Sequence, residues 1–268
     1  MRQARSIRDR RSGLRRKPGV LAAALLAVIG IGFGVAARSA ARPGDPRDLS
    51  DLTTKIEDMQ ASVQVTKLDS KELEKIGKDF GVTYRIRNLI LQYKQPDKLR
   101  LTGRIPVLGE AVLIMNGAMR YYHVPKLEKK VEDLEKSPGK RLSLLEYSGV
   151  LSPNTLSYMQ GRFVREEMQD GRAALVYDMT YQGQEAGSHY RLWIDPDTRI
   201  TRKREWYDRE NRLRATFFYC DPQEVADGIW LPSRVEVRNA EGVTAAATTI
   251  RNVQINQGLS DDLFAIHP

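Results

Sequence analysis

Reactive side chains are scarce in this sequence. One cysteine, Cys220, and three histidines, His123, His189 and His267, occur in 268 residues. A lone cysteine can make no intramolecular disulfide and no cysteine cluster for a metal, so Cys220 is expected to be a small core or rim side chain. No HExxH, CxxC or other close His/Asp/Glu spacing suggests a metal site, and no G-x-S-x-G marks a nucleophile elbow. Asp195 and Asp197 stand in a D-P-D-T stretch, which reads as a turn whose carboxylates bond nearby backbone N–H groups. Glu166 and Glu167, adjacent on a predicted strand, point to opposite faces and make a poor acid/base pair. An envelope hydrolase would need a cluster that these residues do not supply, and no cofactor is expected.

Acidic residues are missing from one end only. The formal net charge is +9, but residues 1–42 contain ten Arg/Lys and a single acid, Asp9, leaving 33 basic and 33 acidic residues beyond them. The body is neutral, which excludes a globally basic nucleic-acid surface. A cationic stretch ending at Lys17 precedes 19 uncharged residues, Gly19 to Ala37, long enough to cross a hydrocarbon core of ~30 Å. The basic flank is expected to stay in the cytoplasm, with the remainder on the periplasmic side. Two outcomes fit the same segment: a signal peptide cleaved after Ala37 or Ser39, or an uncleaved anchor in the inner membrane. Gly30 to Gly34 lie inside this run and form no phosphate loop. The layout is then a basic region (1–18), a signal or anchor (19–37), a linker (38–48) and one domain (49–268).

Within that domain, turn chemistry alternates with period-two runs. Asn116-Gly117 between apolar runs signals a hairpin joining Val112–Met115 to Met119–His123. Asp170-Gly171 joins Arg162–Met168 to Arg172–Tyr181. From Ser188 to Asn256 turns recur at 195–197, 208–211, 227–228 and 240–242, and Leu213, Ala215, Phe217 and Tyr219 oppose Arg212, Arg214 and Thr216. This pattern predicts an antiparallel meander with one apolar and one wet face. Helical spacing is read over Leu49–Met59, over a short helix capped by Asp69-Ser70 and stopping near Gly81, and through an insertion from Pro125 to Gln160. Some ten or eleven strands are expected. A sheet that large curls, and its apolar face needs helices to cover it. The fold class is mainly β with helices (α+β): a curled antiparallel sheet forming an open half-barrel plugged by helices, preceded by one N-terminal transmembrane or signal helix. The tail from Leu259 to Phe264 is expected to pin Phe264 onto the fold.

YKQPDKLRL (Tyr93 to Leu101), the hairpin ending Tyr122-His123-Val124-Pro125, and LWIDPDTRITRKREWYD (Leu192 to Asp208) carry a resemblance. DGIWLPSRVEV (Asp227 to Val237) and NVQINQGLSDDLF (Asn252 to Phe264) extend it. The chain resembles the outer-membrane lipoprotein-sorting proteins of the LolA-like superfamily, which includes RseB-like sensor domains. That resemblance covers about Leu49 to Phe264. It implies a helix-plugged half-barrel and, as partners, lipid or lipoprotein acyl chains at a membrane. RseB-like members imply the alternative of an envelope sensor that binds a protein partner. No single functional residue carries over.

Candidate site residues follow from the pattern. Leu175, Tyr177, Met179, Leu192, Leu213, Phe217, Tyr219, Val235 and Val237 would line a concave lipid-binding face. Leu142, Leu145, Leu156 and Met159 would come from covering helices. Each buried methylene of an acyl ligand contributes ~0.8 kcal/mol, so a partly lined groove suffices. On the outer face Arg202, Arg204, Arg212 and Arg214 are candidates for anionic headgroups, against the alternative of a solvated face with cross-strand ion pairs.

Overall fold

The computed structural model describes residues 47–77, 84, 86–105, 107–126, 128–183 and 187–266. Segment 19–37, with its signal or anchor expectation, lies outside them. Among the described residues no helix is long and apolar enough to cross a membrane.

Among the described residues, the alternating runs become thirteen strands of one antiparallel sheet. They are β1 (Asp58–Leu68), β2 (Asn88–Lys94), β3 (Lys98–Ile105), β4 (Gly109–Asn116), β5 (Met119–Val124) and β6 (Glu128–Asp133), followed by β7 (Met159–Gln169) and β8 (Arg172–Tyr181). The meander supplies β9 (His189–Ile194), β10 (Thr201–Tyr207), β11 (Leu213–Ala226), β12 (Ile229–Asn239) and β13 (Thr244–Ile255). Their order is β6-β5-β4-β3-β2-β1-β13-β12-β11-β10-β9-β8-β7. Two hairpin chains therefore run outward from a central seam where β1 pairs with β13. The sheet is open, with β6 and β7 as its edges, and it curls around one apolar face.

Among the described residues, helical structure is sparser than expected. Leu49–Met59 is not a helix: only Leu49–Leu52 forms a 3₁₀ turn. Leu49, Leu52, Ile56 and Met59 are all buried, but Met59 already belongs to β1. There Met59, Ala61, Val63 and Val65 turn inward while Gln64 and Thr66 are exposed. A period-two run had been hidden behind the helical spacing of its first members. The helix capped by Asp69 is present as α1 (Ser70–Ile76), with the carboxylate accepting from Lys71 N at 3.1 Å and Glu72 N at 3.2 Å. It ends at Gly77, four residues earlier than expected.

The first part of the helical insertion is likewise a strand. Val131 and Leu134 have helical spacing, yet Glu128–Asp133 is β6, laddered onto β5 with Val131 opposite Tyr121. Its charges pair across and along the strand instead of along a helix. Arg120 lies opposite Glu132 and bonds it, and Lys130 reaches the same carboxylate at 2.7 Å. The open ladder of β5 outweighed local propensity. What remains helical is a 3₁₀ turn at Pro138–Lys140, the short α2 (Leu144–Ser148), and a 3₁₀ turn at Pro153–Ser157. Met159 opens β7 and is not part of a covering helix.

α2 is short but firmly held. Ser143 and Glu146 form a reciprocal capping box, and Gly149 ends the helix at φ 66°. The tail meets its expectation: Asp261–Phe264 is a 3₁₀ turn and Phe264 is fully buried. Asp58 fixes the approach by accepting from Gln257 N and Gly258 N, each at 2.8 Å, and from Leu259 N at 3.2 Å.

Two apolar clusters fill the concave side. One joins β1–β4 and β11–β13 with Leu73 and Ile76 of α1 and Leu144 of α2. The other joins β8 and β9 with Leu49, Leu52, Leu145, Leu151 and Met159.

Candidate functional site

A cavity of about 480 Å³ lies in the first of these clusters, between the sheet and the short helices. Its sheet wall comes from Val63 and Val65 of β1, Leu89 of β2, Trp206 of β10, Phe217 of β11, Val235 of β12 and Thr248 of β13. Its cover comes from Gly77 after α1, Tyr84, Gly139, Lys140 and Leu142, and Glu146 and Tyr147 of α2. Arg120 and Arg204 complete the lining. Burial pushes Tyr84 up to about 12 and Tyr147 higher still, so both line the cavity as neutral phenols.

The sequence candidates divide between this cavity and solid core. Phe217, Val235 and Leu142 line it. Leu175, Tyr177, Met179 and Leu192 do not: the N-terminal 3₁₀ turn, Leu145 and Leu151 pack against them, and they are at most 6% exposed. Leu145 and Met159 belong to that packed cluster, with Leu156 against it from the Pro153–Ser157 turn. Tyr219 and Val237 are buried in the first cluster, outside the cavity lining, and the Tyr219 hydroxyl donates to Leu145 O at 2.7 Å. Leu213 is half-buried at the start of β11. Cys220 is a half-buried rim residue of the same strand, and burial pushes its thiol up.

Of the four arginine candidates, Arg204 is corrected. Arg204 is not on the outer face; it is 2% exposed and lines the cavity. An uninterrupted hairpin through Asp208–Arg212 that pairs Tyr207 with Leu213 would place Arg204 opposite Thr216, on the wet side. A bulge between Trp206 and Tyr207 shifts the ladder by one, so Arg204 stands opposite Phe217 instead. Arg214 is committed to the end of α1, donating to Lys75 O at 3.0 Å and Ile76 O at 2.7 Å, a favourable cation site at a helix C-terminus. Arg202 donates to Gln169 O at 3.2 Å and lies 3.7 Å from Asp195. Arg212 is the most exposed of the four, and both Asp208 and Glu210 pair with it at 2.9 Å.

Inside the cavity the charges are few and specific. Arg204 Nη1 meets Glu146 Oε1 at 3.4 Å. The other oxygen of Glu146 is taken by the capping box, receiving Ser143 N at 2.7 Å and Ser143 Oγ at 2.8 Å. The Arg204 guanidinium carbon lies 3.9 Å from the ring centre of Phe217 and 4.9 Å from that of Tyr190. Burial by itself would lower this guanidinium, but Tyr219 and Glu146 outweigh it and the group is firmly cationic. Among the described residues no three His, Cys, Asp or Glu side chains gather as a metal site. His189 stacks on Tyr207 with ring centres 5.0 Å apart. Sequence reading missed Val63 and Val65 because it read helical spacing as far as Met59 and assigned no element to 60–68. The alternation of Met59, Ala61, Val63 and Val65 was the available signal.

Known structures repeat this architecture. A LolA superfamily protein of Nitrosomonas europaea superposes with a TM-score of 0.56 at 14% identity, covering 81% of this chain and 94% of that one. A DUF1329 family protein of Desulfovibrio piger superposes at 0.51 with 16% identity, covering 82% and 94%. No match was found among curated proteins. A family model described as an uncharacterized protein matches residues 117–267. With more than half of its length inside that match, the chain belongs to this family, and its fold is that of the LolA superfamily.

Proposed function

We propose that this protein binds lipid, or the acyl part of lipoproteins, in the cavity between its sheet and its short helices. It acts on the periplasmic side in lipoprotein sorting or envelope lipid transfer, without catalysis, and segment 19–37 directs or tethers it there. The supporting observation is the cavity itself. A space of about 480 Å³ walled by Val63, Val65, Leu89, Trp206, Phe217 and Val235 falls within the ~300–1,000 Å³ typical of small-molecule sites. Its wall is largely apolar, so transfer of a chain from water is favourable by ~0.8 kcal/mol per methylene. Release then requires only that the short cover, α2 and the turn at Pro138–Lys140, move from the sheet.

The test is acyl-probe binding to the purified full chain, together with mass spectrometry of co-purified lipid. Val235→Trp should fill part of the cavity and exclude at least two methylenes, weakening a fluorescent acyl probe roughly tenfold with unchanged circular dichroism. An unaltered affinity would place the acyl chain elsewhere. A defined protein partner in a pull-down, with no lipid in the purified material, would replace this reading with that of an envelope sensor. N-terminal sequencing of the mature protein decides between tether and cleaved signal.

A further inference from the structure

Arg204 is the unusual feature of this cavity. A guanidinium has five N–H donors, and this one is 2% exposed. Its hydrogen bond to a carboxylate, Glu146, is 3.4 Å long, against ~2.7–2.9 Å for a well-made charge-assisted bond. Glu146 cannot improve it without leaving the cap of α2, where its other oxygen holds Ser143 at 2.7 and 2.8 Å. Arg204 Nε is buried and has no hydrogen-bond partner. The cation lies over the rings of Phe217 and Tyr190, and the hydroxyls of Tyr190 and Tyr219 take hydrogen bonds from the guanidinium, so Nε is the donor left open. Charge points the same way. Among the described residues, the charged side chains lining the cavity are Arg120, Lys140, Arg204 and Glu146. Arg120 is answered by Glu132, so among the described lining charges Lys140 and Arg204, whose Nε has no partner, face the single carboxylate of Glu146.

We infer that the cavity is selective for a single acyl chain ending in a carboxylate, a free long-chain fatty acid, whose head group pairs with Arg204. The chain lies against Val63, Leu89 and Val235. The carboxylate takes the Nε edge of the guanidinium that Glu146 leaves open, and Lys140 offsets the repulsion between the two carboxylates. This deepens the proposed function and rests on it. A neutral diacyl or triacyl anchor would occupy the apolar wall without using Arg204.

The experiment compares palmitate with hexadecanol, which has the same chain and no charge, by calorimetric titration of the full chain at neutral pH. Palmitate should bind at least about tenfold more tightly, the increment of one hydrogen-bonded charge. Arg204→Gln should weaken palmitate until the two ligands bind within about twofold of each other. Glu146→Gln, which removes the competing carboxylate, should strengthen palmitate alone. Equal affinities in the unsubstituted protein would overturn the carboxylate assignment and leave acyl binding standing. Binding of neither ligand would overturn acyl binding itself. The acid–alcohol comparison needs no variant, so it decides the point even where Arg204→Gln fails to fold.

Discussion

Gly149 ends α2 at φ 66°, and a Cβ there would lie 2.7 Å from Tyr219 Cγ and 2.9 Å from Thr201 O. Both the left-handed backbone and the space demand glycine. Gly149→Ala should destabilise the protein by about 2–3 kcal/mol, read as a lower urea midpoint at unchanged slope. Because Tyr219 OH also holds Leu145 O at 2.7 Å, the same change should loosen the cover over the cavity. A sequence shows that a glycine is present, but not that a tyrosine 70 positions later packs on it. Arg204 teaches the same lesson more strongly. Its strand, the turn after it and the inward set of β11 were all legible, and a one-residue bulge between Trp206 and Tyr207 nevertheless carried the side chain to the opposite face. Bulges respond to packing around the strand; the residue skipped in this ladder is Arg214 of β11, and nothing in the sequence around it announces the shift.

At the scale of elements, Asp58 ties the first strand to the tail. Its carboxylate accepts from Gln257 N, Gly258 N and Leu259 N, while Lys94 donates to Leu259 O and Arg100 to Leu263 O, each at 2.8 Å. Asp58→Ala leaves three donors without their partner and should cost about 1–3 kcal/mol. Hydrogen exchange at residues 257–259 should accelerate well beyond that at β11; uniform acceleration across the sheet would show that the tail is not a separate unit. Elements closed by short turns were readable: β4–β5 through Asn116-Gly117, β7–β8 through Asp170-Gly171, and the tail around Phe264. Elements defined by distant partners were not. β1 owes its strand state to β13 and β2, and β6 owes its own to β5. Their local spacing looked helical because a few apolar residues satisfy both periods.

For the whole molecule, the outer surface is bound by many ion pairs, which makes its stability depend on pH. Lys98, then Lys94, hold Asp261 below the ordinary aspartate value of 3.8. Trp193 and Arg165 lower Glu167. Glu236 is opposed by burial but pulled below 4.5 by Arg238, Thr244 and Arg234. A folded-state value below the unfolded one contributes stability that is present above the unfolded value and lost as pH falls through the folded one. The thermal midpoint should therefore hold from neutrality to about pH 5 and fall progressively below about pH 4.5. A midpoint unchanged at about pH 3 would mean that these pairs add nothing. High salt should flatten the decline, since most of the pairs are at least partly exposed.

The central seam sets a timetable for assembly. β1 and β13 meet in the middle of the sheet, and Glu57 N bonds Asn256 Oδ1 across 199 residues. Each hairpin chain can zip locally as it emerges, but the seam waits for residues 244–255, and long-range pairing of this kind is slow. Pulse-labelled refolding should protect the β1 and β13 amides last, after those of β7–β8. Val63 and Val65 stand on one side of the seam and Thr248 on the other, all of them in the cavity wall. An unfinished chain therefore lacks one wall of the cavity until β13 arrives.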